Sequence, residues 1–417
     1  MLKNQSIPIE RRVSIHDARK GIEATLAGYG ISWKVETTGQ SVFTAKCTLH
    51  DDSGALLDSG YGKGDIDAAI AGSIFEAAEH WFCQFSNCRK DNLHYGESSQ
   101  HMERHAFADL LPVSLLHDAP NATMAFRCYT RIGCSEERLY PLALSNPKYV
   151  DGLFGDHSLH FPDSFDYSRL GSYCSNSGVA IGSDLTEATI HGLLEAVERD
   201  TFSKFLVDAF LKRRASALRV VDRNSLPEDL FNLIRQVERE VSYPVLLLEF
   251  ENEFGIPVFF AALQKSSFEI EVTGYGCSLS NEHAAKRSLH ELVQCYHAMT
   301  WFHPEEFKKK EQRALANLAN HSFHLRCAKL KVAECCEEIG FTSVNFSETA
   351  FIDAPLELCE YLRILVQHVE RSGRRAYSAV VRRLNGGEVI THSFFEGQDH
   401  FFCVTNGTFV LPNLKAT

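Results

Sequence analysis

The sequence predicts an α/β (α+β) fold built from repeated strand-strand-Gly turn-helix units, with a smaller C-terminal lobe. Three observations carry this. Apolar runs such as Val245-Leu246-Leu247-Leu248 have the length of strands and fall far short of a membrane span. A pattern of two strands, a glycine-containing turn and a helix is seen three times between about residues 40 and 300. Each helix of the pattern carries paired acids, or an acid and its amide analogue, three residues apart: Glu76 and Glu79, Glu195 and Glu198, Glu291 and Gln294.

The first unit places a strand at Val42–Leu49 and a turn at Asp51-Asp52-Ser53-Gly54. A short second strand leads into Gly60-Tyr61-Gly62-Lys63-Gly64, and a helix follows from about Asp65 to Cys83. The second unit runs from Tyr140-Pro141-Leu142-Ala143-Leu144 to Tyr173-Cys174-Ser175-Asn176-Ser177-Gly178. Its helix starts near Asp184, where Asp184-Leu185-Thr186-Glu187 has capping-box spacing. Between them Gly152–Arg169 lacks periodicity and reads as a loop. The third unit uses Ile256–Phe260, Phe268–Val272, Gly274-Tyr275-Gly276 and a helix from about Asn281 to Trp301. Beyond it, Lys308 to Gly340 reads as helical and solvated. Ala376–Arg382 and Glu388–Phe395 read as strands closing the C-terminal lobe.

The 417 residues suffice for a large core, and 23% charged with 44% hydrophobic residues is an ordinary globular balance. The net charge of −12 argues against non-specific binding to nucleic acid or to an anionic membrane. The polar start Met1-Leu2-Lys3-Asn4-Gln5 lacks the apolar core of a signal peptide, so the expected compartment is the cytoplasm. Thirteen cysteines form no Cys-x-x-Cys pair, which argues for reduced, mostly buried thiols rather than structural zinc.

Residues three apart share a helix face, so Ser73, Glu76 and Glu79 line a stripe about 120° wide. Their neighbours are mostly apolar. Carboxylates in such a setting need a cation. Mg2+ prefers oxygen ligands and commonly joins carboxylates to nucleotide phosphates. Lys63, Arg199 and Arg287, one in each unit, supply bases for those phosphates. A solvated acidic face is the simpler alternative. It is strongest for the second helix, where Glu195 and Arg199 are spaced for a salt bridge. No Walker loop occurs. His80, His191, His283 and His290 lie on or beside these helices, and none is assigned a catalytic role.

The motifs Ser-x-x-Glu-x-x-Glu at 73–79, Glu-x-x-Glu-Arg-Asp at 195–200 and Arg-x-x-x-Glu-x-x-Gln at 287–294, in this order, resemble the YcaO superfamily, and in length its microcin-synthetase-like subunits. The resemblance implies ATP and Mg2+ as cofactors. Glu76, Glu79, Glu195, Glu198 and Glu291 would face the metal ions and nucleotide. Lys63, Ser73, Arg199, Arg287 and Gln294 would contact phosphates or ribose, and either Asn176 or Ser177 would join them. Residues 1–60 form an N-terminal strand/helix region, 61–300 the ATP-binding core, and 301–417 a C-terminal lobe completing it.

The implied activity is ATP-dependent cyclodehydration. A Cys, Ser or Thr of a ribosomally made precursor peptide attacks the preceding carbonyl, and ATP activates the oxygen that leaves. No leader-binding module is seen, so a ubiquitin-activating-enzyme-like partner is expected to present the peptide. A flavin-dependent dehydrogenase is a further expected partner. The run Val410-Leu411-Pro412-Asn413-Leu414-Lys415-Ala416-Thr417 holds one proline, where many azoline-forming relatives are proline-rich. Thioamide or amidine formation is therefore the alternative product class. An accessory ATP-binding role in ribosomal-protein methylthiolation ranks third, because the member with that role carries a long C-terminal extension not seen here.

Overall fold

The computed structural model describes residues 7–84, 93–99, 114–155, 162–346 and 356–413. Helix α1 (Ile15–Gly28) precedes strands β1 (Ser32–Thr38), β2 (Phe43–His50) and β3 (Leu56–Gly64), then α2 (Ile66–Phe82). Strands β4 (Leu93–Glu97), β5 (Thr123–Arg131) and β6 (Glu137–Pro141) lead into the short helices α3 (Leu142–Ser145) and α4 (Pro147–Gly155). Strand β7 (Val179–Gly182) feeds α5 (Leu185–Phe205). Next come β8 (Arg219–Val221), α6 (Glu228–Val241), β9 (Val245–Phe250), β10 (Val258–Leu263), β11 (Thr273–Cys277) and α7 (Asn281–His297). The chain continues through α8 (Pro304–Asn317), α9 (Ser322–Lys329), α10 (Val332–Ile339), β12 (Thr342–Val344), α11 (Leu358–Arg371), β13 (Ala376–Arg383) and β14 (Val389–Phe395).

Among the described residues the strands form three sheets, ordered β1-β2-β3, β11-β10-β9-β8-β12 and β4-β5-β13-β14-β7, with β6 paired to β5. Strands β3, β7 and β11 each end a sheet, and each runs into one of the acid-bearing helices. Helix α2 packs on β3 and β2, α5 on β14 and β7, α7 on β11 and β10. Each helix also leans on the next terminal strand: α2 reaches β7, α5 reaches β11 and α7 reaches β3. The three strand–helix pairs thus close a ring.

Side-chain oxygens start each helix. Asp65 accepts from the Ala68 amide at 2.9 Å, Asp184 from the Glu187 amide at 2.8 Å, and Ser280 from the His283 amide at 3.3 Å. The box expected at Asp184 is only half formed, because the Glu187 carboxylate turns to Arg11 and the Arg12 amide instead. Helix α5 is buried on most of its surface. Phe202 and Phe205 stack beneath it on Phe250 and Phe260, with Phe205 and Phe250 centroids 4.1 Å apart. A helix buried all round takes its polar residues inside with it, and Glu198 and Asp200 go there.

The glycines expected in the turns of the first and third units lie within strands, whereas Gly178 of the second unit does occupy a turn before β7. Gly60 and Gly62 belong to β3, and Gly274 and Gly276 to β11. A Cβ on Gly62 would come within 1.9 Å of the Ala69 carbonyl oxygen, and one on Gly274 within 2.1 Å of that of Ser288. These glycines let helix backbone lie directly on strand backbone. Alternation turns Tyr61, Lys63 and Tyr275 to the opposite strand face.

Other expectations need adjusting. Leu142-Ala143-Leu144 is helical, being part of α3, because β6 ends at Pro141. The last strand of the third unit is Thr273–Cys277, not Phe268–Val272. Gly152–Gly155 finish α4, residues 156–161 of the expected loop lie outside the described residues, and 162–169 carry no strand or α-helix. The region after Lys308 is helical but only partly solvated: Cys327, Ala328, Val332, Cys335 and Cys336 join the main core. The final strands close no separate lobe. Strands β13 and β14 lie between β5 and β7 in the six-stranded sheet, where pairing with β7 satisfies backbone groups on both sides of β14.

Candidate active site

The ring brings the acids of α2, α5 and α7 into one cleft. Lys63 Nζ, from the end of β3, is ion-paired with Glu291 Oε2 of α7. Arg199 lies 3.8 Å from both Glu195 and Glu198, and its guanidinium sits over the Tyr275 ring, 5.0 Å from the centroid. Glu79 Oε2 accepts from the Ile181 amide of β7 at 2.9 Å. His80 stands 3.8 Å from Glu76. The side chains of Glu76 and Glu195 keep 36% and 31% of their surface, whereas Glu198 keeps 5%. The cluster therefore has an open side and a buried floor.

Protonation reveals the shortage of cations. Burial raises the Glu79 carboxyl well above the ordinary range, reinforced by Glu195 and Glu76. Burial also raises Glu76 and Glu195, against the pull of His80 and Lys63 on the first and Arg199 on the second. Glu198 is pushed up to about 7 by burial, opposed by Arg199 and reinforced by Glu291. Only Glu291 is lowered: burial would raise it, but Lys63, Arg199 and Arg287 together outweigh burial. Lys63, Arg199 and Arg287 face these five carboxylates, Lys148 acts on Glu79 from beside Asp58, and Arg287 is also held by Glu10, 3.3 Å away. The paired acids are thus not a solvated face, and Arg199 does not neutralise its helix alone.

This donor set suits a hard cation brought in with phosphates. Among the described residues no three His, Cys, Asp or Glu side chains gather closely enough to hold a metal ion. Mg2+ is commonly bound through one or two carboxylates plus water and phosphate oxygens, which fits a loose ring of glutamates. A cavity of about 320 Å3 lined by Val221, Arg223, Leu226, Ile234 and Leu247 contains none of these groups and lies outside the cluster.

The other expected contacts divide. Ser73 is fully buried and its hydroxyl donates to the Ile70 carbonyl at 2.8 Å, so it offers no free donor here. Asn176 is exposed, while the buried Ser177 hydroxyl has no hydrogen-bond partner among the described residues. Gln294 is half-buried in the last turn of α7. Cys174 and Cys295 are pushed up to about 12 by burial, which suits packed thiols and not nucleophiles. None of the twelve described cysteines is bridged to another described cysteine.

Sequence reasoning missed Tyr275 and Glu10. Tyr275 was marked by its place between two glycines, since period-two alternation sends it away from the helix they admit. Glu10 carries no such local signal. It reaches Arg287 across 277 residues of chain.

The family described as YcaO cyclodehydratase, ATP- and Mg2+-binding, matches residues 59–387, and the chain belongs to that family of ATP-dependent enzymes. The structure of YcaO from Methanopyrus kandleri bound with AMPPCP and Mg2+ superimposes with a TM-score of 0.64 at 17% identity, covering 97% of each chain. A chain of the E. coli microcin synthetase McbBCD complex with pro-MccB17 bound superimposes at 0.53 and 13% identity, over 88% of this chain and 86% of that one. A protein of Rhizobium leguminosarum bv. trifolii, described as an uncharacterized protein in the tfuA 3' region, is 28% identical over 156 residues. That match spans 36% of this chain and 34% of the relative's length. No helix among the described residues is long and apolar enough to cross a membrane.

Proposed function

We propose that this chain uses Mg-ATP to activate backbone amides of a ribosomally made precursor peptide. The observation that carries the proposal is the ring of five glutamates, four of them with raised carboxyl pKa and too few cations to neutralise them. Mg2+ bound with the nucleotide would supply the missing positive charge. Glu76, Glu79, Glu195, Glu198 and Glu291 would hold it, and Lys63, Arg199 and Arg287 would meet the phosphates. Ser177, with its spare hydroxyl, suits the nucleotide contact better than the exposed Asn176. Gln294 completes the α7 side, and Ser73 serves mainly to pack α2 on β3.

In this reading the peptide supplies its own nucleophile. The enzyme's tasks are to orient the amide oxygen toward the nucleotide, to neutralise developing charge and to keep out competing water. The product is an azoline from Cys, Ser or Thr. The likeness to a microcin synthetase bound to its pro-peptide supports a precursor peptide as substrate and an assembly with a leader-binding partner. A second reading, thioamide formation with external sulfide, draws support from the relative described by its place 3′ of tfuA.

The experiment mixes the protein, Mg-ATP, the candidate partner and the candidate precursor, and weighs the peptide. Loss of one water per modified residue supports cyclodehydration. Exchange of oxygen for sulfur when sulfide is supplied supports the second reading. ATP turnover with an unchanged peptide rejects both.

A further inference from the structure

Arg287 is gripped from outside the acid cluster. Its Nη1 lies 3.3 Å from Glu10 Oε2, and the Glu10 side chain has no exposed surface. The other oxygen, Oε1, accepts from Ser278 Oγ and from Tyr361 Oη, each at 2.5 Å. Tyr361 Oη in turn accepts from the Leu279 amide at 2.8 Å, so α11 and the β11–α7 connection are tied to one carboxylate. His283 Nε2 stands 3.8 Å away on the Arg287 side. The turn that carries Glu10 is itself fastened: Arg11 Nη1 lies 3.0 Å from Glu187 Oε1, and the Arg12 amide donates to Glu187 Oε2 at 3.0 Å. Glu10 holds φ at 64°, a left-handed conformation that a non-glycine residue keeps only where its surroundings dictate it.

A buried carboxylate is a poor way to stabilise a fold, because apolar replacements of the same volume often serve as well or better. This one has its hydrogen bonds satisfied and faces Arg287 and His283, and Arg287 stands one helical turn before Glu291 on α7 and feels the charge of Glu198 and Glu291. We propose that Glu10 is a positioning residue for the nucleotide site. It fixes the angle at which the Arg287 guanidinium enters the glutamate ring, leaving the remaining donors of the guanidinium for phosphate. Glu10 lies outside the stretch 59–387 that matches the family, so the grip comes from a part of the chain the family match does not include. The inference deepens the Mg-ATP reading and rests on it.

The test compares Glu10→Gln, Arg287→Lys and the double variant in the full chain. Affinity for Mg-AMPPCP is measured by calorimetry, the KM for ATP by turnover, and folding by thermal melting. Glu10→Gln is expected to weaken nucleotide binding and raise KM about tenfold, the scale of losing a partner that orients a binding group. In the Arg287→Lys background the same change is expected to have less than about a twofold effect, because partners acting through one group are not additive. Wild-type affinity in Glu10→Gln beside a loss in Arg287→Lys would overturn the inference alone, as would full additivity. Wild-type affinity in Arg287→Lys overturns the nucleotide-site reading and this inference with it. Should Glu10→Gln fail to fold, Tyr361→Phe carries the test. It removes the hydrogen bond to Glu10 and the one accepted from the Leu279 amide while keeping the Glu10 charge, so a threefold loss, roughly, is expected only where Arg287 is present, and no loss overturns the inference.

Discussion

Under the proposed Mg-ATP reading, Glu198 would couple the stability of the molecule to nucleotide binding. Its folded pKa of about 7 lies above the ordinary 4.5, so the native state holds this proton more tightly than the unfolded chain does. For a raised carboxyl, the stabilising contribution is fully present below the unfolded pKa and is lost as pH rises through the folded one. The nucleotide-free protein is therefore expected to melt at progressively lower temperature as pH rises from about 5 to about 8. Mg-ATP, which favours the ionised ring, should recover most of that loss. Calorimetry in buffers of differing ionisation enthalpy should show protons released on Mg-ATP binding near neutral pH, and proton-neutral binding would contradict the assignment. The acids at this scale were legible because their spacing and apolar neighbours are written locally. The Glu10 grip was not, because a contact across 277 residues leaves no trace in either segment.

The glycines act at the scale of the element. In β3 and β11 they remove the side chain that would hold α2 and α7 off the sheet. Gly62→Ala and Gly274→Ala force a methyl onto helix backbone rather than onto a side chain that can turn aside. Each is expected to cost about 1–3 kcal/mol or more, read as a fall in the denaturant midpoint. Wild-type stability in both would mean that the helices do not pack as described. Ala at Gly54, where nothing lies within 4 Å of the added carbon, has room, but its φ of 82° adds strain. A loss there smaller than at Gly62 would separate backbone strain from steric contact. Sequence reading found these glycines and misplaced them in turns. Gly-Tyr-Gly has the period of a strand, and that was the overlooked signal. The helices were the more legible elements, since Asp65, Asp184 and Ser280 mark their starts with side chains that reach only three residues onward.

Across the whole molecule the C-terminal strands hold the six-stranded sheet together. Strand β14 is paired with β7, which runs into the helix bearing Glu195 and Glu198, and with β13 on its other side. A chain ending before Ala376 is therefore expected to lack cooperative melting and to be degraded by protease, instead of leaving a stable ATP-binding core. A protease-resistant, nucleotide-binding fragment of residues 1–375 would refute that. This interleaving was hidden from sequence reasoning because strand pairing between distant segments depends on the fold as a whole and not on either strand's own pattern. What the sequence did carry was the acids of the ring, scattered over three helices that only the closed fold brings together. The most direct test of that convergence is Mg-AMPPCP binding and ATP turnover by Glu198→Gln, measured beside its thermal melt at about pH 8. The account predicts a folded protein at least as stable as wild type, since a carboxylate whose charge is disfavoured by burial has been replaced by a neutral group, with nucleotide binding and ATP turnover abolished. Wild-type binding and turnover would contradict it.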